Sequence, residues 1–209
     1  MHSWVRSLAQ GARWLLWVAV VLAACSDRPP SLPRLSPDAV ILAFGDSLTY
    51  GSGAELAQSY PAVLERLARR KVINAGAPGE VSAEGLKRLP ELLDQFRPQL
   101  LILIHGGNDL LRKHDGARVA ENLRAMVQEA RRREVAVVLV GVPEPGLMIS
   151  VPAFYGRIAA EFRLPYEPDV LAHIESDRSL KSDPIHPNAE GYRLLAQRIF
   201  SLLRSAGAV

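Results

Sequence analysis

A chain of 209 residues is long enough for one domain with a full hydrophobic core. An apolar content of 48% and a charged content of 22% are ordinary for a globular protein and exclude a chain too polar to fold. The formal charge of +3 comes from Lys and Arg mixed with acids. The short ARR and RRR clusters stand on apparent helix faces beside Glu65 and Glu134, which makes them solvated surface and excludes a nucleic-acid partner.

The N-terminus differs from the rest. Arg6 and Arg13 precede the 11-residue apolar run WLLWVAVVLAA, from Trp14 to Ala24. A bilayer span needs roughly 20 such residues, so the run predicts a signal peptide over 1–24, with an uncleaved membrane anchor as the alternative. Cys25 is the only cysteine, so no intramolecular disulfide can form. The ending LAAC at 22–25 resembles the lipobox of bacterial lipoproteins, which implies cleavage before Cys25 and its lipidation. Ser26, in place of the Asp that retains such proteins at the inner membrane, points to a periplasm-facing outer-membrane lipoprotein. The alternatives are a soluble periplasmic form or an inner-membrane anchor. Removing 1–24 takes Arg6 and Arg13 and leaves 23 basic against 22 acidic residues, so the basic charge says little of the mature protein. The proline-rich stretch up to residue 38 predicts an extended tether over 25–38, with the folded domain over 39–209.

From residue 39 strands and helices alternate. AVILAFG reads as a strand, SYPAVLERLARR as an amphipathic helix, and KVINAG as a second strand. SAEGLKRLPELLDQF reads as a helix that Pro90 breaks or restarts. QLLILIHGG is a continuous apolar run, expected of a strand buried on both faces. ARVAENLRAMVQEARRR follows as a helix and VAVVLVGVP as a strand. PAFYGRIAAEF is helical, LPYEPDVL holds one short strand, and AEGYRLLAQRIFSLLRS forms the last helix. Such alternation implies an α/β fold, a mainly parallel sheet of about five strands with helices on both faces. Ligands of such sheets bind beyond the carboxyl ends of the strands. Ser47 follows the first strand, Gly76 and Gly79 the second, and Asn108 the third. DPIHPN lies before the last helix, so four polar clusters are predicted to meet on one rim.

Those clusters carry chemistry. A serine hydroxyl needs a base to take its proton, and that base needs a group to fix its tautomer. In DPIH, Asp183 and His186 are three residues apart in a segment whose prolines disfavour regular helix. A short loop there can fold the carboxylate onto the imidazole and leave the other nitrogen for Ser47. The bland alternative, that Asp183 and Pro187 merely start the last helix, leaves His186 without a task. GGND at 106–109 offers the Asn108 amide, and NAGAPGE at 74–80 offers a glycine amide, Gly79, as donors to an oxyanion. Turn chemistry alone explains either loop taken singly. Asp46 is expected to brace its turn through hydrogen bonds to nearby amides. His105 belongs at a strand end, and His105, His114 and His173 show no metal-ligand spacing. No cofactor motif is present.

GDSLTYG, the glycine of NAGAPGE, GGND and DPIHPN match in order the four blocks of the SGNH hydrolases, the GDSL lipase/esterase family, over nearly all of 40–200. The stretch LPELLDQFRPQLLILIHGGNDLLR is most similar to the bacterial periplasmic thioesterase/lysophospholipase and arylesterase branch. The resemblance implies a three-layer flavodoxin-like sandwich. It makes Ser47 the nucleophile, His186 the base and Asp183 its orienting acid, with the Ser47 and Gly79 N–H groups and the Asn108 side chain as oxyanion hole. Glu80 departs from the pattern, since Asp often follows the block-two glycine.

The apolar loop after the fourth strand supplies Leu147, Met148, Ile149 and Phe154 as substrate-wall candidates, although the same residues suit the core equally well. The reading is a tethered, monomeric serine esterase for a small ester, thioester or lysophospholipid substrate, needing neither cofactor nor metal. Its rivals are a carbohydrate O-acetyl esterase of the envelope and a catalytically silent envelope-binding lipoprotein.

Overall fold

The computed structural model describes residues 29–209 apart from 145, 147 and 148, so the expected signal peptide and Cys25 lie outside the described residues. Five strands are present: β1 (Val40–Gly45), β2 (Lys71–Gly76), β3 (Leu100–Ile104), β4 (Ala136–Val140) and β5 (Tyr166–Glu167). They pair in the order β2-β1-β3-β4-β5, and every pairing is parallel. In β3 all five residues, Leu-Leu-Ile-Leu-Ile, are buried, as an interior strand covered on both faces requires.

The helices are α1 (Ser47–Tyr50), α2 (Tyr60–Ala68), α3 (Ser82–Phe96), α4 (Gly107–Leu111), α5 (Gly116–Arg132), α6 (Phe154–Phe162), α7 (Val170–Ser176) and α8 (Ala189–Ser205). α2 and α8 pack together on one face of the sheet, and α3, α5 and α6 form the layer on the other. The three-layer α/β sandwich expected from the sequence is therefore observed.

Pro90 does not break its helix: α3 runs continuously through it. The helix persists because its buried residues, Gly85, Leu89 and Leu93, hold it to the domain on both sides of the proline. Such packing outweighs one lost backbone bond. The proline-rich stretch is extended, but it is not free of the domain. Leu32 N–H donates to Ala206 O at 2.8 Å, Leu35 N–H to Ala208 O at 2.9 Å, and the Leu35 side chain is buried. Ordered packing thus begins before Ala39.

The strand order reverses direction at β1, where the chain steps first to β2 and then across to β3. In parallel sheets this switch point opens a crevice at the carboxyl ends of the two diverging strands. Ser47 follows β1 and Asn108 follows β3, so the topology sets them on either side of that crevice.

Candidate active site

Ser47 is the first residue of α1, capped by Asp46, whose Oδ1 accepts from Leu48 N–H at 3.0 Å. Asp46 is buried and braces the turn as expected. Burial pushes its carboxyl above the ordinary value. As the first helical residue, Ser47 has a main-chain N–H with no partner inside the helix.

His186 Nε2 lies 3.0 Å from Ser47 Oγ, and His186 Nδ1 lies 2.7 Å from Asp183 Oδ2. The carboxylate can only accept, so the imidazole carries its proton on Nδ1 and presents a lone pair to the serine. The other oxygen, Asp183 Oδ1, accepts from Ile185 and His186 N–H, each at 2.8 Å. Burial works to raise the Asp183 carboxyl, but these hydrogen bonds outweigh it and hold it below the ordinary value. Asp183 does not start the last helix: Asn188 does, its side chain accepting from Glu190 and Gly191 N–H.

The loop after β2 turns on Ala77-Pro78-Gly79-Glu80, with Glu80 N–H donating to Ala77 O at 3.1 Å and Gly79 at φ +81°. Those are the marks of a type II turn, with Pro at its second position and a residue of positive φ at its third. No neighbour would meet a Cβ at Gly79, so the backbone angle alone demands glycine there. The turn's own hydrogen bond leaves the Gly79 N–H unused. Across the crevice Asn108 Nδ2 donates to Glu80 O at 3.1 Å and reaches Asp46 Oδ2 at 3.3 Å.

One cleft contains Asp46, Ser47, Leu48, Gly107 and Asn108, and its walls are Leu111, Val142, Pro143, Glu175, Pro184 and Ile185. Leu111 is 39% exposed, unusual for so large an apolar side chain. Glu175 sits on this wall, and burial, opposed by Lys181, pushes its carboxyl up to about 7. Val142 and Pro143 open the apolar loop over 142–156 that the sequence offered as a substrate wall. Sequence reading missed Leu111 of α4, Glu175 of α7, and Pro184 and Ile185 before α8, because they come from separate short helices and a loop.

The expected wall residues fall elsewhere or are not described. Leu147 and Met148 lie outside the described residues. Ile149 is half-buried and does not line the cleft. Phe154 is a core residue, its ring 4.5 Å from that of Tyr155. It opens α6 with its side chain turned into the sheet-facing layer, the outcome that an apolar residue at a helix start usually has.

Behind the cleft is a network that no motif announced. Glu80 Oε1 and Oε2 each accept from Arg88 at 2.7 Å, and Oε1 also lies 3.1 Å from His105 Nε2. His105, at the end of β3 and fully buried, accepts from Gly106 N–H at Nδ1 over 2.9 Å. Burial works to raise the Glu80 carboxyl, but the Arg88 and His105 hydrogen bonds and the Arg88 charge bring it down to about 2. Asp109, equally buried, accepts from Ser82 N–H at 2.7 Å and Ser82 Oγ at 3.0 Å, and lies 3.3 Å from His114 Nδ1.

A serine at the tip of a parallel strand, a histidine on its hydroxyl and two amide-bearing loops beside them are the arrangement of α/β serine hydrolases without a Gly-x-Ser-x-Gly elbow. The chain belongs to the GDSL-like lipase/acylhydrolase family, whose model matches residues 43–194, and it is an ester hydrolase of that family. It is 31% identical to esterase TesA of Pseudomonas aeruginosa over 175 residues, 78% of this chain and 87% of that protein. It is 29% identical to thioesterase 1/protease 1/lysophospholipase L1 of Escherichia coli over 164 residues, 75% of this chain and 79% of the relative. The crystal structure of TesA superposes with a TM-score of 0.71 at 31% identity, covering 80% of this chain and 99% of that one.

Proposed function

We propose that the protein is an exported serine esterase in which Ser47 is the nucleophile, His186 the general base and Asp183 the residue that orients the imidazole. The observation that carries this is the pair of short contacts running from Ser47 Oγ through His186 to Asp183, at 3.0 and 2.7 Å. Ser47 Oγ bonds to the ester or thioester carbonyl carbon as its proton passes to His186 Nε2. The charge that develops on the carbonyl oxygen meets the Ser47 and Gly79 N–H groups and the Asn108 amide. Asn108 Nδ2 has two protons. Glu80 O holds one at 3.1 Å, and the other, with only the 3.3 Å contact to Asp46, turns to the oxyanion.

Collapse of the intermediate breaks the bond to the alcohol or thiol, which leaves with the proton from His186. Water then attacks the acyl-enzyme carbonyl and gives a proton to His186, which passes it to Ser47 Oγ as the acyl–Oγ bond breaks and the carboxylic acid leaves. Every proposed group comes from one domain, which supports a monomer as the working unit.

The apolar wall of Leu111, Val142, Pro143 and Ile185 supports acyl or aryl esters, thioesters and lysophospholipids as substrates. The basic and apolar leader with LAAC supports export and a lipid anchor at Cys25. The test is hydrolysis of p-nitrophenyl esters of increasing acyl length by the wild type and by Ser47→Ala. Cleavage lost in the variant establishes the nucleophile. Rate confined to acetyl esters moves the reading to a carbohydrate O-acetyl esterase, and equal cleavage by the variant overturns it.

A further inference from the structure

We propose that Arg88, Glu80 and His105 are positioning residues that lock the two oxyanion loops to each other and to the sheet. This rests on the reading of Gly79 and Asn108 as oxyanion donors. None of the three belongs to the triad or lines the cleft.

Glu80 works from both its ends. Its main-chain carbonyl accepts from Asn108 Nδ2, and so fixes one amide proton and aims the other. Its peptide also closes the turn that carries Gly79. Its carboxylate is gripped by both arms of the Arg88 guanidinium and by His105. Because Gly106 N–H occupies His105 Nδ1, the ring's Nε2–H is the one donated to Glu80. Gly106 is the N-cap of α4, the short helix on which Asn108 stands. The contacts therefore close a circuit: Asn108 to the Glu80 main chain, the Glu80 side chain to His105, and His105 through Gly106 back to Asn108.

Arg88 ties that circuit to the strands. Its Nη2 donates to Ala75 O at 3.0 Å and reaches Gly45 O at 3.4 Å, and its guanidinium lies 4.5 Å over the Phe44 ring. Gly85 leaves the room, since a Cβ there would stand 2.3 Å from His105 Nε2. A part-buried ion pair of this kind adds little net stability, but it does fix geometry. An oxyanion hole depends on geometry above all.

The test is a double-mutant cycle of Glu80→Gln with Asn108→Ala, read as kcat and KM on one p-nitrophenyl ester, with thermal unfolding alongside. We expect Glu80→Gln to lower kcat by about tenfold to a hundredfold with KM nearly unchanged. In the Asn108→Ala background it should cost almost nothing more, because its action passes through Asn108. Full additivity, or an unchanged kcat in Glu80→Gln, overturns the proposal. Unchanged kcat in Asn108→Ala alone removes Asn108 from the oxyanion hole, a separate failure of the underlying reading. If Glu80→Gln unfolds, Arg88→Lys, which keeps the charge and loses the fork, takes its place in the same cycle.

Discussion

The two halves of the proposed catalytic rim are built in opposite ways. The Asp183–His186 half is a surface loop: the two side chains are 45% and 24% exposed, and Asp183's hydrogen bonds stay within three residues. In the Gly79–Asn108 half Gly79 is exposed and Asn108 half-buried, but buried Asp46 and His105, with Glu80 and Arg88, tie the loops after β1, β2 and β3 to one another and to α3. On the proposed roles, the moving proton would be handled by a local device, whereas the charge-binding donors would be held by long-range contacts. That division suits the chemistry: a base must accept and release a proton in each turnover, but donors to an oxyanion work best when they do not move.

The contrast breaks most sharply at the base. His186→Ala should abolish detectable ester cleavage at neutral pH while leaving the thermal unfolding midpoint nearly unchanged, since little packing depends on an exposed loop. A large fall in that midpoint would show the loop to be structural. Asp183→Ala should cost less, roughly a hundredfold less than loss of the base, because its role is to orient. On the other side Asn108→Ala should lower kcat by about 100- to 1000-fold. The measurement in each case is kcat on a p-nitrophenyl ester whose Ser47→Ala background is known.

A stability comparison sharpens the same contrast. Asp109→Ala strands Ser82 N–H and the Ser82 hydroxyl proton in the interior, at about 1–3 kcal/mol for each unsatisfied group, since Asn122 Nδ2 donates to Ser82 Oγ and cannot accept that proton. Urea unfolding should show that loss. A variant as stable as wild type would mean that water replaces the carboxylate.

The same division decided what could be read from the chain. Asp183 and His186 were legible because their partnership spans three residues and the prolines around them exclude a regular helix. The five strands and the long helices were legible from periodicity. α1, α4 and α7 were not, being four, five and seven residues long, too short to show a helical period. The Glu80 brace was illegible for another reason. Glu80 follows β2 and His105 follows β3, 25 residues on. They meet only because those two strands flank β1, so the sequence displayed Glu80 merely as a departure from a pattern. Phe154 shows the converse, an apolar residue beside a rim loop that the core claimed first.

The smallest expected effect concerns Glu175, an acid on the cleft wall whose carboxyl is pushed up to about 7 from an ordinary 4.5. Burial favours its neutral form, and Lys181, whose ammonium donates to the Glu175 main-chain carbonyl at 2.6 Å, offsets only part of that. A raised carboxyl binds its proton more tightly when folded than when unfolded. Its contribution to stability is therefore fully present below pH 4.5 and is lost as pH rises through about 7. Glu175→Gln, neutral at every pH, should match wild type at pH 4 and exceed it at pH 8, by an amount that partial contact with water keeps small. Equal stabilities at pH 8 would mean that the carboxylate is solvated in the cleft. It would then be a standing negative charge on the wall of the cleft that holds Ser47, and kcat/KM for cationic against neutral esters would become the quantity to measure next.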